Sequence, residues 1–597
     1  MKNVYLFQPQ YTNFFNGKLN NWIPYSVGCL WNYASQFNDV TSEYTLKDLF
    51  FKRDPIIDVL TNLTEPAICG FSCYVWNTKY CLEAAKHIKS KWPECVIIFG
   101  GPEISERYIN EYSFIDYIIR GEGEQSFVDL LRNIRDNIPT NKIIHKSRME
   151  NLSYPGPYAS GIFDKLLKDN PDIHWSATFE TNRGCPYSCT FCDWGSLTYS
   201  KVKRFELDQL KSEFDWIRQK PITYIFLADA NFGMFKNRDL TIAQMLKDAS
   251  DNSNIDVIHL QGAKQSSEIA FEIGNILQDK YAGVTVSMQS MNQDTLSAIN
   301  RKNLAINDIK KIMQLSEIHQ IPTYTELILG LPLETKETWC DGICELLELG
   351  QHNSIDVWFT QLLENSELST IESRTKYGIV SRRYSNYVNF EELSKYNFDG
   401  IEEEIELVIA TNTMSTEELI ESYLYSWIII QWHILGYSQI IAKYLRFVHN
   451  ITYRSFYDHL LTVIKNDTYF GNHYSTLYTM LDESIHNKKP VGNFMISAHV
   501  FHQYYNNEYY SNKQSIFEFV FQAASMICDI PASILELQKY FIYDENQQYP
   551  ITIESSFNLL NQSDELTTYL IKSKNDVTLK GLRARRLGLY KNFIQII

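Results

Sequence analysis

Two long stretches of the chain alternate short apolar runs with helical patterns, and this alternation constrains the fold more than any other feature. Within the first 145 residues, four runs are short, apolar and bounded by turn residues. They predict β-strands at Val4–Phe7, Ala67–Cys73, Val96–Phe99 and Tyr117–Ile119. Helical spacing over Tyr80–Trp92 separates two of them. Because strands that alternate with helices form parallel sheets, we expect a doubly wound α/β domain over residues 1–145.

The alternation resumes after residues 146–173, a segment rich in Pro and Gly that we interpret as an interdomain linker. Six further strands are predicted, at Ser176–Glu180, Tyr224–Ala228, Val257–Gln261, Val284–Met288, Tyr324–Leu329 and Val357–Leu362. Their starts lie roughly 25–50 residues apart, as in successive βα units of a barrel. The pattern therefore predicts a partial (β/α)6 barrel of the TIM type over residues 174–384.

After residue 384 the pattern changes to long helical stretches rich in Tyr, Trp and Ile, which predict a mostly helical domain over residues 385–597. Within it, Ser422–Ala442 carries no Asp, Glu, Lys or Arg, so a membrane helix is one interpretation. The stretch contains Gln431 and His433, and a capping box begins at Ser415 just upstream. These features favour a buried core helix, and we expect no membrane span.

Charge and cysteine usage restrict the class of protein further. The 597 residues carry a net charge of −16, and an acidic surface repels phosphate backbones, so we expect no nucleic-acid partner. The 11 cysteines show no disulfide framework, and the N-terminus is too polar for a signal peptide. Together these features predict a protein of the reducing cytoplasm.

Three cysteines directly after the first predicted barrel strand form a C-x3-C-x2-C motif of Cys185, Cys189 and Cys192. Thiolates ligate iron in Fe–S clusters, and three on one loop can hold three irons of a four-iron cube. The fourth iron then stays open for a ligand. A structural zinc site needs a fourth protein ligand, which no nearby Cys or His supplies. Incidental buried cysteines are the other alternative. The motif predicts a [4Fe–4S] cluster.

At this point the sequence resembles the radical S-adenosylmethionine (SAM) superfamily. Three further strand-end segments fall in the order seen there, namely Phe226–Gly233, Val286–Ser290 and Glu326–Thr335. The usual glycine after Pro332 is Leu333 here, a small departure. The resemblance implies that SAM binds the open iron and is cleaved to a 5′-deoxyadenosyl radical. It also implies a low-potential electron donor of the flavodoxin or ferredoxin type.

The resemblance implies roles for polar residues at the ends of the barrel strands, which are Asp229, Asn231, Ser287, Gln289 and Glu326. Asp229 or Asn231 would hold the amino group of SAM. Ser287 and Gln289 would reach its carboxylate or ribose. Glu326 would accept hydrogen bonds from ribose hydroxyls. Phe191 would pack near the adenine. An ordinary strand-end hydrogen bond is the alternative for each polar residue.

The first domain resembles the Rossmann-like cobalamin-binding domain that precedes many such enzymes. The resemblance rests on Ile68–Asn77 and on two glycine turns. The residues it assigns to cobalamin are Ser72, Trp76, Gly100, Gly101, Pro102, Gly121 and Glu122. Trp76 would face the lower side of the corrin, with a core tryptophan as the alternative. His87 and His145 lie outside the Asp-x-His-x-x-Gly motif, so no histidine should ligate the cobalt. Another nucleotide-like ligand, or a purely structural domain, is the alternative.

The resemblance therefore implies a cobalamin-dependent radical SAM C-methyltransferase that acts on an unactivated carbon of a small molecule or peptide. Ring closure or rearrangement without net methyl transfer is the alternative within the same chemistry. A corrinoid-binding or regulatory protein with a degenerate cluster site is a third hypothesis, against which the three intact cysteines argue. The sequence assigns no catalytic residue outside the cofactor sites, and we expect the helical domain to set specificity.

Overall fold

A computed structural model gives the fold. It describes residues 1–15, 18–145, 149, 152–194, 201–263, 267–281, 283–319, 321–385, 399–487, 513–542, 548, 550–558, 565–571 and 594–596. The strands are β1 (Lys2–Gln10), β2 (Asn13–Phe15), β3 (Lys18–Trp22), β4 (Tyr44–Lys52), β5 (Pro66–Ser72), β6 (Val96–Gly100), β7 (Tyr117–Arg120), β8 (Ile143–His145), β9 (His174–Phe179), β10 (Asn182–Arg183), β11 (Lys203–Arg204), β12 (Ile222–Phe232), β13 (Val257–Gly262), β14 (Val284–Gln289), β15 (Thr323–Leu329), β16 (Ile355–Phe359), β17 (Val380–Ser385), β18 (Glu404–Ala410), β19 (Ile551–Ser555), β20 (Thr567–Ile571) and β21 (Ile594–Ile596).

The α-helices are α1 (Tyr25–Ala34), α2 (Asn38–Thr41), α3 (Ile56–Asn62), α4 (Thr78–Lys91), α5 (Tyr108–Glu111), α6 (Glu124–Arg135), α7 (Asp164–Asp169), α8 (Leu207–Arg218), α9 (Lys236–Ser250), α10 (Ser267–Leu277), α11 (Gln293–Ala298), α12 (Ile306–His319), α13 (Lys336–Glu348), α14 (Ile371–Tyr377), α15 (Thr416–Ile428), α16 (Gln439–Val448), α17 (Tyr453–Asn466), α18 (Thr468–Asn487), α19 (Lys513–Ser525) and α20 (Ala532–Ile542). Short 3-10 turns cover Gln278–Lys280 and Glu367–Ser369, and a π-helical turn covers Ile429–Ile434.

The N-terminal sheet is parallel and six-stranded, in the order β4-β1-β5-β6-β7-β8. The four predicted strands and the predicted helix α4 are confirmed. Two strands were not predicted, and both lie at the edges of the sheet. In β4 the apolar run is interrupted by Lys47 and Asp48, and β8 has only three residues. Edge strands are half exposed, so their sequences lack the continuous apolar character of central parallel strands.

All six predicted barrel strands are present, as β9, β12, β13, β14, β15 and β16. Parallel pairing joins β9, β12 and β13, and a second parallel sheet joins β14, β15 and β16. A bridge between Ile258 and Tyr281 links the two groups. The carboxyl ends of these strands form one rim, where the loops that bind ligands in barrels lie.

The barrel sheet also takes a strand from the N-terminal region, which the sequence did not predict. Strand β3 pairs in parallel with β9, and β2 extends it as a hairpin. Asn20 of β3 is buried, where its side chain accepts from Ser176 Oγ at 2.7 Å and donates to Thr223 Oγ1 at 3.3 Å. The strand was missed because its two buried positions, Asn20 and Asn21, are polar.

The segment interpreted as a linker packs closely against the barrel over its described part. Tyr158 is fully buried and donates to Thr178 O at 2.7 Å. The Glu213 carboxylate on α8 accepts from the backbone N–H groups of Tyr158 and Ala159 at 3.1 and 2.7 Å. The segment is thus a packed connection between the two sheets. The domain boundaries on either side stay predictions.

The region after the barrel is mostly helical, with a β17–β18 hairpin and a small antiparallel sheet of β19, β20 and β21. The predicted capping box at Ser415 is confirmed. The predicted core helix is fully buried but broken, because α15 passes into the π-helical turn and Gly436, with φ +105°, precedes α16. Among the described helices, none is long and apolar enough to cross a membrane.

Candidate cluster and cofactor site

The three cysteines of the motif lie on the loop that follows the first barrel strand and the short strand β10. Gly184, with φ +115°, turns the chain into this loop. Cys185 and Cys189 are buried and Cys192 is partly exposed. The loop folds on itself through Cys192 N, which donates to Cys189 O at 3.1 Å, and Thr190 N donates to Ile299 O at 3.1 Å. The second bond fixes the loop against the end of α11.

The thiols suit a cluster better than a single ion. None of the three forms a disulfide, and no three Cys, His, Asp or Glu side chains in the described part of the chain converge to hold one metal ion. In a four-iron cube each thiolate binds its own iron, so convergence on one point is not required. Burial raises the pKa of Cys192, as expected for a thiol that shares an apolar pocket with two others.

Arg301 places a buried cation beside the cysteines, a contact to which sequence reasoning assigned no role. Its guanidinium hydrogen-bonds Cys189 and donates to the backbone carbonyl of Ser287 on β14. Burial lowers the pKa of Arg301, and the neighbouring Cys189 raises it in opposition. A cation at this position stabilises negative charge on thiolates and on an electron-rich cluster.

Two buried side chains at the strand ends each keep a polar atom without a partner among the described residues. Asn231 is 3% exposed; its Nδ2 donates to Cys185 Sγ at 3.4 Å, and its Oδ1 has no donor. Gln289 is 8% exposed, adopts φ +59°, and its Oε1 also has no donor. Buried acceptors are normally satisfied. A ligand with N–H or O–H groups beside the cysteines would satisfy both.

Asp229 and Asn231 both lie on β12, but the side-chain oxygens of Asp229 have hydrogen-bond partners within the protein. Its carboxylate accepts from Thr181 N at 2.7 Å and from Asn182 N and Nδ2 at 3.1 and 2.9 Å. It also accepts from the Thr181 hydroxyl. Burial raises the pKa of Asp229 to about 7. These contacts fix the turn that leads into the cysteine loop, so of the two residues Asn231 is better placed to meet a ligand.

Ser287 and Glu326 are register partners on β14 and β15, and both are half-buried. Ser287 Oγ donates to Glu326 Oε2 at 3.0 Å. Phe191 is partly buried and packs on an apolar cluster that contains Leu296 and Leu331. The structure brings these residues to the same rim as the cysteines, and their contacts to SAM stay predictions.

In the N-terminal sheet, the loop after β5 carries Trp76. Its ring stacks on Tyr74, with centroids 4.7 Å apart at 7°, and Tyr74 OH lies 2.6 Å from Ser26 Oγ. Trp76 is only partly buried and lies outside the hydrophobic core. Its Nε1 has no partner among the described residues. Its contact to cobalamin stays a prediction. Ser72, at the end of β5, is nearly buried.

The glycine turns lie at the carboxyl edge of the same sheet. Gly101 has φ +99°, and a Cβ there would lie 2.4 Å from Cys73 O, so only glycine allows the two loops to pass so closely. Asn365 Nδ2, from the loop after β16, donates to Pro102 O at 2.6 Å. Gly121 has φ +82°, and Glu122 Oε2 accepts from Met149 N at 2.9 Å.

Two ionic contacts join the N-terminal sheet to the barrel rim, and local sequence patterns did not reveal them. Arg183, two residues before Cys185, pairs with the buried Glu124 at 2.7 Å. Burial alone would raise the pKa of Glu124, but Arg183 holds that pKa below its usual value. Arg107 donates to the Glu364 carboxylate at 2.6 and 2.9 Å. These contacts hold the turns of the N-terminal sheet beside the barrel rim.

A carboxyl group near these ionic contacts has a strongly shifted pKa. Burial raises the pKa of Glu103 to about 8, helped by the nearby Glu364 and Asp193. At neutral pH Glu103 is therefore largely protonated and can donate a hydrogen bond. Such a group suits a neutral, amide-bearing ligand better than a cation.

Comparison with protein families identifies the class. The model of the radical SAM superfamily matches residues 179–341, which run from the end of β9 through the cysteine loop to α13. The barrel, the three-cysteine loop on its rim and this match define a radical SAM enzyme.

Two relatives show which family of radical SAM enzymes the chain belongs to. The chain is 33% identical to a 2-(S-pantetheinyl)-carbapenam-3-carboxylate methyltransferase of Streptantibioticus cattleyicolor, over 76% of this chain and 70% of the relative. It is 32% identical to the cobalamin-dependent radical SAM methyltransferase TokK of Streptomyces tokunonensis, over 78% and 71%. The chain belongs to the family of cobalamin-dependent radical SAM methyltransferases. Enzymes of this kind use a [4Fe–4S] cluster, SAM and cobalamin, and they need a reductant.

A solved structure is also similar. The cobalamin-dependent SAM radical enzyme OxsB, with aqua-cobalamin and SAM bound, aligns over 88% of this chain and 79% of its own, at 15% identity and a TM-score of 0.49.

Proposed function

We propose that Cys185, Cys189 and Cys192 hold the [4Fe–4S] cluster and that the enzyme methylates an unactivated carbon of a small molecule. The observation that carries this proposal is the buried three-cysteine loop beside two unsatisfied acceptors, Asn231 Oδ1 and Gln289 Oε1. When bound, the cluster with SAM supplies an organic radical, and cobalamin supplies the methyl group. The chain itself binds, orients and shields these groups.

The SAM site is assigned from the contacts on the barrel rim. Asn231 Oδ1 would accept from the amino group of SAM, because it is buried, lacks a donor and lies beside Cys185. Gln289 and Ser287 would bind the carboxylate or ribose, and Glu326, already paired with Ser287, would accept from ribose hydroxyls. Arg301 would hold Cys189 and strand β14 in fixed relation while it offsets the charge of the thiolates. Phe191 would pack near the adenine.

The cobalamin site is assigned from the carboxyl edge of the N-terminal sheet. Ligands of doubly wound sheets bind outside this edge. Trp76 would cover the lower face of the corrin, because it is only partly buried, lies outside the described core and is braced by Tyr74. Ser72, Gly100, Gly101 and Pro102 would line the pocket of the nucleotide tail, and Gly121 and Glu122 would border it. The protonated Glu103 would donate to an amide of the corrin rim.

The name of one relative suggests a class of substrate. The first relative acts, by its name, on 2-(S-pantetheinyl)-carbapenam-3-carboxylate, so a small thioether of this kind is the first compound to test. A peptide stays the alternative. We further propose a flavodoxin- or ferredoxin-type electron donor, as the family resemblance implies. We also propose a cytoplasmic location, supported by the cysteines without disulfides, and no nucleic-acid partner, supported by the net charge of −16.

The test is anaerobic reconstitution with iron, sulfide, cobalamin and a low-potential reductant, followed by mass spectrometry of the products of SAM. We compare the wild type with Cys189→Ala and with Cys340→Ala, a buried cysteine of α13 remote from the motif. We expect 5′-deoxyadenosine and S-adenosylhomocysteine from the wild type and Cys340→Ala, and neither from Cys189→Ala. The substrate assay then adds the carbapenam thioether and looks for a product heavier by one methylene.

Each other outcome has a definite meaning. Deoxyadenosine with a rearranged product of unchanged mass would replace methyl transfer with rearrangement. Deoxyadenosine formation by Cys189→Ala would overturn the cluster assignment. A fully loaded wild type that forms neither SAM product would overturn the proposed reaction.

A further inference from the structure

A single buried arginine connects three separate segments of the chain at the carboxyl edge of the N-terminal sheet. Arg53 directly follows β4 and is 4% exposed. All of its N–H groups point at acceptors. It donates to Asp399 Oδ2 and Oδ1 at 2.8 Å each, to Glu403 Oε1 at 2.8 Å, and to the carbonyls of Trp76 and Ile401 at 2.9 and 2.6 Å.

The charges around Arg53 are balanced by a helix. Two carboxylates face one guanidinium, which leaves one negative charge in excess. Glu403 also accepts from Lys79 N and Tyr80 N at 2.8 and 2.9 Å, in the first turn of the 14-residue helix α4. The positive end of the helix dipole offsets the excess charge. The ring of Tyr11, 4.4 Å from the guanidinium, covers the arginine.

The loop of Trp76 is held by Arg53 and by the neighbouring Asn77. The carbonyl of Trp76 accepts directly from Arg53. The buried Asn77 accepts from Tyr74 N at 2.7 Å and donates to Ser72 O at 3.1 Å. The ring of Trp76 stacks on Tyr74, and its Nε1 has no partner among the described residues. Because Arg53 bonds the backbone of Trp76 itself, a shift of the guanidinium acts on that residue directly.

The segment held by Arg53 continues into the barrel. Residues 399–403 lead into β18, where Glu406 O accepts from Leu362 N at 2.9 Å and Val408 N donates to Thr360 O at 2.9 Å. Both partners lie in the loop directly after β16. Arg53 thus ties the loop of Trp76 to the rim that carries the cysteine loop.

We propose that Arg53 is a positioning residue for the corrin site, which fixes Trp76 against the lower face of cobalamin and sets the position of that face relative to the barrel rim. This inference rests on the cobalamin site proposed above. A lysine cannot replace Arg53, because it has three donors and no planar fork, so at least two of the five hydrogen bonds would be lost.

The experiment measures cobalamin itself, without turnover. Cobalamin affinity is measured by equilibrium dialysis, and the electron paramagnetic resonance spectrum of bound cob(II)alamin reports axial access to the cobalt. The variants are Arg53→Lys, Glu403→Gln and Trp76→Ala. Arg374→Lys is the matched control, because Arg374 pairs with Glu406 of β18 at 2.7 Å but contacts no residue of the N-terminal sheet among its described hydrogen bonds.

We expect Arg53→Lys to lose cobalamin affinity and to give the altered cobalt spectrum of Trp76→Ala. Arg374→Lys should keep the wild-type spectrum and affinity. If Arg53→Lys does not fold, Glu403→Gln should show the same spectral change in a weaker form, because it removes charge but little volume. Wild-type affinity and spectrum in a folded Arg53 or Glu403 variant would overturn the inference. A spectral change in the Arg53 or Glu403 variant that Trp76→Ala does not share would also overturn it. Failure of the wild type to bind cobalamin would overturn the proposed site itself.

Discussion

His352 Nδ1 lies 2.8 Å from His433 Nε2, in a buried contact that joins the loop before β16 to the π-helical turn of the C-terminal region. His433 Nδ1 in turn lies 2.6 Å from Tyr457 OH, which lies 2.9 Å from Ser438 Oγ. The backbone carbonyls of both histidines accept from Gln439 Nε2 at 3.1 Å. The barrel and the helical region therefore share one polar network inside an apolar interface.

This network predicts a loss of stability in acid. Burial lowers the pKa of both histidines well below the usual value, and Lys443 lowers each further. Both histidines stay neutral in the folded state, whereas a histidine in the unfolded chain gains a proton below its ordinary pKa of about 6.5. The network therefore contributes its full stability above that pH, and this contribution falls as the pH drops. We expect the thermal midpoint to fall steadily below about pH 6.5, measured by circular dichroism.

The control for the acid effect is a substitution in the network. His433→Gln should lower the midpoint at neutral pH but flatten its dependence on pH. His87→Gln, at an exposed position on α4, should keep the wild-type slope. An unchanged slope in His433→Gln would contradict the assignment of acid sensitivity to this pair.

Asn231→Ala should weaken SAM binding and spare the cluster. The substitution removes the unsatisfied buried oxygen that we assign to the amino group of SAM. A hydrogen bond to a charged group contributes about 1.5–3 kcal/mol, so we expect a loss of about 10–100-fold in affinity. Anaerobic calorimetry measures the affinity, and iron analysis measures the cluster. Asp229→Ala should instead reduce the iron content, because Asp229 fixes the turn before the cysteine loop. Its SAM affinity should fall as a consequence, since SAM is expected to bind the open iron of the cluster.

Arg301→Met should make the cluster harder to reduce. The buried cation beside Cys189 stabilises the added electron, so its removal should move the reduction potential to more negative values. A redox titration followed by electron paramagnetic resonance measures the shift. Arg301→Lys keeps the charge and should lie closer to the wild type. Equal potentials in the wild type and Arg301→Met would show that the cation does not act on the cluster.

Glu124→Gln should destabilise the junction between the N-terminal sheet and the cysteine loop. It leaves the buried Arg183 without its full countercharge, and breaking a buried pair costs about 3–5 kcal/mol. We expect a lower thermal midpoint and lower iron content. Asp341→Asn breaks an exposed pair with Arg454, for which we expect a change below about 1 kcal/mol. Similar effects of the two substitutions would contradict the special role of Glu124.

Local sequence patterns predicted the elements that bury apolar side chains, and missed those that depend on distant polar partners. The barrel strands were visible because central parallel strands are apolar throughout. Strand β3 was not, since Asn20 finds its partners Ser176 and Thr223 only in the folded chain. The network of Arg53 was missed for the same reason, because its partner Glu403 lies 350 residues further along the chain.

The candidate site was predicted in part for the same reason. The cysteine motif is local, and its spacing alone indicated a cluster. Asp229 and Asn231, two residues apart on one strand, could not be separated by pattern, because their difference lies in the partners Thr181 and Cys185. The cation of Arg301 was missed because its contact with Cys189 joins residues far apart in sequence.

The first 22 residues supply strands to both sheets, β1 between β4 and β5 of the N-terminal sheet and the β2–β3 hairpin beside β9 of the barrel sheet. The N-terminal sheet and the barrel are therefore interwoven in chain order, and a cut near residue 150 would not separate them cleanly. A barrel expressed from that point would lack β3 and expose the hydrogen-bonding edge of β9, which invites aggregation. Recombination between relatives should succeed only when the first 22 residues are inherited together with the barrel they complete.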